Sequence, residues 1–125
     1  MHYLIVDDSP TMRRIVINAL AVLGFEKVTQ AENGLDALEK LSTNKIDFII
    51  TDWNMPEMNG LQLIEAIRAN PKTKDIPILL VTTRGSKEDI MLALKAKVNN
   101  YVVKPFTPMV LKEKITSILN AIKIK

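Results

Sequence analysis

The sequence predicts an α/β fold in which five parallel strands alternate with five helices, the helices covering both faces of one sheet. Three observations carry this. Short apolar runs alternate with segments of helical periodicity, five times over. The runs are apolar throughout, as strands buried on both faces are, and do not show the in-out alternation of half-exposed strands. The chain has 125 residues, too few for a closed eight-unit barrel of roughly 200 or more. An open, doubly wound three-layer sandwich is the arrangement that remains.

The elements follow in order. Tyr3-Leu4-Ile5-Val6 reads as a buried strand and stops at Asp7-Asp8. Ser9 caps the first helix with Pro10 in its first turn; Met12, Ile15, Val16, Ala19, Leu20 and Leu23 recur at helical spacing, and Gly24 closes it. Residues 27–31 form a weaker strand, 35–41 a short helix, and 47–51 a strand ending on Asp52. Pro56 and Gly60 mark a loop, after which Leu61, Ile64 and Ile67 give a helix to about Asn70. Residues 77–82 are the fourth strand, and Ser86 caps a helix whose apolar face is Ile90, Met91 and Leu94. Residues 101–103 are the last strand. Thr107 and Pro108 then start a helix with the stripe Leu111, Ile115, Ile118, Leu119 and Ile122.

Composition narrows the function. Apolar residues at 47% and charged residues at 25% suit a chain that buries a core, and exclude a disordered tail. With no cysteine there is no disulfide framework, thiol nucleophile or thiolate metal site. The net charge of +3 is too mild to argue for nucleic acid, but it is lopsided: residues 1–62 hold nine acids and five bases, residues 63–125 five acids and twelve bases. The first residues carry no leader signal, and the apolar run from Ile15 to Phe25, broken by Asn18, is too short to span a bilayer. A single domain over residues 1–125 without an effector domain, in the cytoplasm, is the expectation, with neither nucleic acid nor membrane as a partner.

In open α/β sheets ligands bind beyond the carboxyl ends of the strands. Here those ends carry Asp7 and Asp8, then Asp52, then Thr82 and Thr83, then Lys104. Carboxylates gathered on one rim repel; a like-charged pair at about 4 Å costs on the order of 4 kcal/mol at an effective dielectric of 20. An acid-only cluster favours a hard divalent cation with oxygen ligands, Mg²⁺ first. Lys104 adds a point charge and Thr82 a donor, which suits an anionic ligand. Metal, acids, lysine and hydroxyl together read as phosphoryl chemistry, with Asp52 as nucleophile because Asp7 and Asp8 are needed for the metal. Each residue alone has a structural reading as a turn cap or surface charge; their coincidence on one rim carries the argument. The sole histidine, His2, sits at the far end of its strand and reads as a terminal residue without a role. Met55 and Met58 read as loop packing.

Val6-Asp7-Asp8, Asp52 with Met55-Pro56 and Gly60, Thr82, and Tyr101 followed by Lys104-Pro105 resemble the receiver domain of two-component response regulators, along essentially the whole chain. Thr11-Met12-Arg13-Arg14, Asp52-Trp53-Asn54-Met55-Pro56 and Tyr101 through Phe106 are similar to the chemotaxis regulators of that family. The resemblance, not the residue pattern, implies a flavodoxin-like sheet of order 2-1-3-4-5. It also implies Asp52 as phosphoacceptor, Mg²⁺ held by Asp7, Asp8, Asp52 and the backbone carbonyl of Asn54, and phosphoryl oxygens bound by Thr82 and Lys104. Tyr101 with Thr82 would be the switch, and the Lys104-Pro105 bond would be cis. The implied phosphodonor is a CheA-type histidine kinase, and the implied target, at the face of the fourth helix, fifth strand and fifth helix, is the flagellar motor switch protein FliM; a phosphatase is a further partner, and a monomer is the default.

Two positions depart from the commonest pattern. Arg84 lies two residues after Thr82, where an acid is frequent, and with Asn54 it would tune hydrolysis by changing access to the acyl phosphate. Lys97-Val98 stands where many receivers have Gly-Ala. With Lys95, Lys112 and Lys114 it is expected to form a basic docking surface for an acidic peptide beside Tyr101. Two other functions use the same residues: a phosphate sink draining a shared kinase, and a Mg²⁺-dependent aspartyl phosphohydrolase. Asn54 disfavours the latter, since it stands where the general acid would.

Overall fold

The computed structural model describes residues 1–124, with side chains for residues 1–122. The elements are β1 (Tyr3–Val6), α1 (Pro10–Val22), β2 (Val28–Ala31), α2 (Gly34–Thr43), β3 (Phe48–Thr51), α3 (Gly60–Ala69), β4 (Ile78–Thr82), α4 (Lys87–Lys95), β5 (Asn100–Val103) and α5 (Pro108–Ile124). All strand pairs are parallel, in the order β2-β1-β3-β4-β5. The winding reverses between β1 and β3, so a crevice opens beyond their carboxyl ends.

Burial follows the sheet position. Every residue of β1, β3 and β4 is buried, whereas the edge strands β2 and β5 are partly exposed. The period-two geometry of a strand splits the core. Leu4, Val6, Ile49, Ile78 and Leu80 meet Ala37, Leu63, Ile64, Ile67 and Ala93 on one side. Tyr3, Ile5, Phe48, Ile50, Leu79 and Val81 meet Val16, Leu20, Leu111, Ile115 and Ile118 on the other. Thus α2, α3 and α4 cover one face, and α1 and α5 the other.

Helix starts sit where capping chemistry places them. Ser9 accepts from the Met12 amide, Asn33 from Asp36 and Ser86 from Asp89, while Asn59 and Gln62 form a reciprocal capping box. Gly24, at φ 87, takes the left-handed turn after α1. Three helices depart from the expected stripes. In α4 the buried residue is Ala93, while Met91 and Leu94 are 61% and 52% exposed. Ile15 of α1 and Ile122 of α5 are exposed too.

His2 has a structural role, contrary to the expectation. It is buried, its amide donates to Asp47 Oδ2 at 2.8 Å, and its Nε2 lies 2.6 Å from Thr29 Oγ1, tying the start of β1 to both neighbouring strands. Met55 and Met58 pack against the core as expected. Among the described residues no helix is long and apolar enough to cross a membrane.

Candidate functional site

The carboxyl edge of the three central strands holds the acids in place through the backbone. The Asp52 amide donates to the Val6 carbonyl at 2.9 Å and the Asp7 amide to the Ala31 carbonyl at 3.1 Å, extending the ladders one residue past the strands. Asp7 and Asp52 are buried while Asp8 is exposed. One carboxylate oxygen from each of the three lies within 4.8 Å of the others. An all-oxygen set of that size is compatible with a hard divalent cation.

Lys104 enters from β5. Its Nζ donates to Asp7 Oδ2 at 3.2 Å and lies 3.5 Å from Asp52 Oδ1, so one ammonium bridges the two buried acids. Its own amide donates to the Thr82 carbonyl at 2.7 Å, and the Lys104-Pro105 bond is cis. Burial raises the Asp52 pKa above the ordinary carboxylate value; Lys104 lowers it, and Asp7 raises it further. Desolvation wins because a single lysine is shared between two carboxylates.

The atoms of Asp52 are unequally engaged. Oδ1 accepts from the Trp53 amide at 2.7 Å and faces Lys104. Oδ2 has no hydrogen-bond partner among the described residues. Thr82, buried at the end of β4, accepts the Arg84 amide on Oγ1 at 3.0 Å. A hydroxyl that accepts there keeps its proton free to donate.

Several supporting contacts were not legible as site features. Asp7 is held on three sides: the Ser9 amide donates to its Oδ1 at 2.9 Å, Arg13 Nη1 to its carbonyl at 2.6 Å, and Lys104 to its Oδ2. Gly60 packs so closely under the acceptor that a Cβ would overlap the Asp52 carbonyl oxygen. Arg84 reaches back over the rim, its Nε donating to Asn54 Oδ1 at 3.0 Å and its guanidinium lying 4.7 Å from the Trp53 ring centre. Asp89, in the first turn of α4, is 3.7 Å from Arg84 Nη1 and was absent from the expected set. Only its place in a capped first turn marked it.

The remaining expected residues fall away from the acids. Tyr101 is half-buried against the core beside α4, with Lys114 Nζ 5.9 Å from its ring centre. The expected single basic surface is not one surface. Lys95 and Lys97 line a cleft between α3 and α4, whereas Lys112 lies on the outer face of α5.

A parallel five-stranded sheet with paired acids on β1, one on β3 and a lysine after β5 defines a class. Residues 3–116 match the response regulator receiver domain, and the chain belongs to that family. Within it the chain is similar over nearly its whole length to receivers of the CheY type. It is 57% identical over 120 residues to chemotaxis protein CheY1 of Helicobacter pylori, covering 95% of this chain and 97% of that one. It is 48% identical over 122 residues to chemotaxis protein CheY of Pseudomonas aeruginosa, covering 98% of each. The solved structure of chemotaxis protein CheY4 of Vibrio cholerae superimposes with a TM-score of 0.87 at 34% identity, covering 94% of this chain and 97% of that one.

Proposed function

We propose that this chain is a cytoplasmic chemotaxis response regulator that accepts a phosphoryl group from a CheA-type histidine kinase on Asp52 and, once phosphorylated, binds the motor switch protein FliM. The observation that carries the reading is the bridging of two buried carboxylates, Asp7 and Asp52, by Lys104, with Asp8 beside them. That arrangement concentrates negative charge against one cation and leaves room for a second. Asp7, Asp8, Asp52 and the Asn54 carbonyl would hold Mg²⁺, which when bound would supply positive charge to the phosphoryl oxygens.

The chain's own residues do the rest. With Oδ1 of Asp52 engaged by the Trp53 amide and Lys104, Oδ2 is the attacking atom. It forms the P–O bond as the P–N bond of the phosphohistidine breaks; the imidazole leaves with that electron pair and binds a proton. Lys104 and the free proton of Thr82 then hold phosphoryl oxygens, with charge placed before the reaction and not recruited during it. Water attack at phosphorus releases phosphate and restores the carboxylate, so the chain acts on its own phosphoryl group and not as an enzyme on a separate substrate. Asn54 and Arg84, joined across the rim, tune that hydrolysis.

Thr82 drawn toward the phosphoryl group releases space that Tyr101 fills, and the face of α4, β5 and α5 changes with it. Leu94 and Val103 are exposed on those elements. A FliM peptide that does not bind the phosphorylated chain would leave the phosphate-sink reading in its place.

The chemistry is tested by intact mass after incubation with acetyl phosphate, with Mg²⁺, with chelator, and on Asp52→Asn. The expected result is a Mg²⁺-dependent gain of one phosphoryl group that the variant lacks. A gain that persists in Asp52→Asn overturns the assignment.

A further inference from the structure

We propose that the cleft between α3 and α4 docks an acidic peptide segment of a partner protein, anchored by one apolar side chain of that segment. The cleft has a volume of about 530 Å³, and Leu61 and Ala69 face Leu92 and Ala96 across it. A polar hollow of about 330 Å³ shares Arg68 and Lys97 with the cleft and continues to Lys74. The two form one groove, apolar at one end and basic at the other.

Its charges are available. Among the described residues Lys74, Lys95 and Lys97 form no ion pair with a carboxylate. Glu65 and Asp75 are the two acids on the walls, against those three lysines and Arg68. Arg68 is a fixed wall, its guanidinium donating to the carbonyls of Lys97, Lys74 and Ile76 and to the Asn99 side chain.

Lys97 supplies an independent observation. Its φ is 71, in the left-handed region that favours glycine, and it is exposed, so the core does not require its side chain. The backbone is held there by Arg68 Nε on its carbonyl and by its own amide on the Leu94 carbonyl. The turn that ends α4 sets this backbone, with the Val98 amide donating to the Ala93 carbonyl at 3.3 Å; a lysine where glycine is favoured places an exposed cation there at a cost in strain. Leu92, 48% exposed in the same cleft, is an apolar surface next to unpaired lysines. Nucleic acid would satisfy the lysines and waste the apolar floor; an apolar side chain flanked by carboxylates uses both. The groove is lined from α3, α4 and the turn before β5, and neither Tyr101 nor Val103 lines it, so it is a second face and not an extension of the motor-switch face.

The test selects a displayed library of peptides of about 12 residues on the full chain and maps the binders by amide shifts of isotope-labelled protein. Acidic peptides sharing one large apolar position are expected, shifting Leu61, Leu92, Ala96 and Lys97 and leaving Tyr101 and Val103 unmoved. Affinity is expected to fall about tenfold or more in Lys95→Gln/Lys97→Gly and in about 0.5 M salt. Because Lys97→Gly relieves the backbone, that variant is expected to melt no lower than the parent, which separates lost binding from lost folding. Selected peptides without acidic character, binders mapping to Tyr101, Val103 and α5, no binders, or affinity indifferent to the lysines would each overturn the proposal.

Discussion

Helices α3 and α4 are ten and nine residues long and cover the same face of the sheet, yet they are held differently. Helix α3 buries Leu63, Ile64 and Ile67, starts from a capping box, and begins at Gly60, pressed under the Asp52 carbonyl. Helix α4 buries Ala93 alone and exposes Met91, Leu92 and Leu94. A helix stabilised by few apolar contacts opens at low free energy. The contrast teaches a division of labour: the acceptor rests on the helix that cannot shift cheaply, and the proposed response falls to the one that can.

That difference can be broken by two truncations. Ile64→Ala is expected to lower unfolding stability by about 2–5 kcal/mol, since it empties a closed part of the core. Met91→Ala is expected to stay within about 0.5 kcal/mol, because its side chain already meets water. Denaturant midpoints of both variants check this, and a comparable loss at Met91 would remove the basis of the comparison. Native hydrogen exchange sharpens it, with amides of α4 expected to exchange ahead of those in α3.

A smaller effect concerns the acids. Burial, only partly offset by Lys104, raises the Asp52 pKa, so the folded state is disfavoured once that carboxyl ionises. The contribution of such a group is fully present below its unfolded value, about 3.9, and is lost as pH rises through the higher folded value. Asp52→Asn should therefore exceed the parent in stability at neutral pH, because it removes a desolvated charge that also repels Asp7. The gap should close as the pH falls toward 4 in metal-free buffer. A gap that widens on acidification contradicts the assigned cause.

The sequence made the central strands legible because β1, β3 and β4 are apolar at nearly every position, a pattern that few folds accommodate. It made the acids legible because strand ends are where an open sheet binds ligands. The α4 face was misread at Met91 and Leu94, which fit a helical period with the half-buried Ile90, whereas the residue buried against the core is the small Ala93. His2 was missed because its partners, Thr29 and Asp47, come from distant segments that the sheet order alone brings together. Lysine itself does not mark position 97 as left-handed; only the glycine that many receivers carry there does. The strand order itself came from resemblance, and the structure shows it.

Arg84 is where the two regions meet, and its removal gives the smallest expected effect. Its Nε holds Asn54 on the loop leading to α3, and its Nη1 lies near Asp89 in the first turn of α4. Arg84 and Asn54 are exposed and Asp89 is partly so, while Trp53, over which the guanidinium sits, is buried. An exposed cation–π contact contributes about 0.5–1 kcal/mol, so Arg84→Glu should change folding stability by no more than about that. The kinetic effect is expected to be clearer. Without the arginine the rim over Asp52 opens, and hydrolysis of the acyl phosphate should accelerate by about two- to tenfold, under about 1.4 kcal/mol in barrier. Trp53 emission should shift in the same variant, since the stacked charge is gone. Emission that shifts with an unchanged hydrolysis rate would mean that Arg84 ties the α3 loop to α4 without limiting the approach of water, and would move its role from the lifetime of the signal to its transmission.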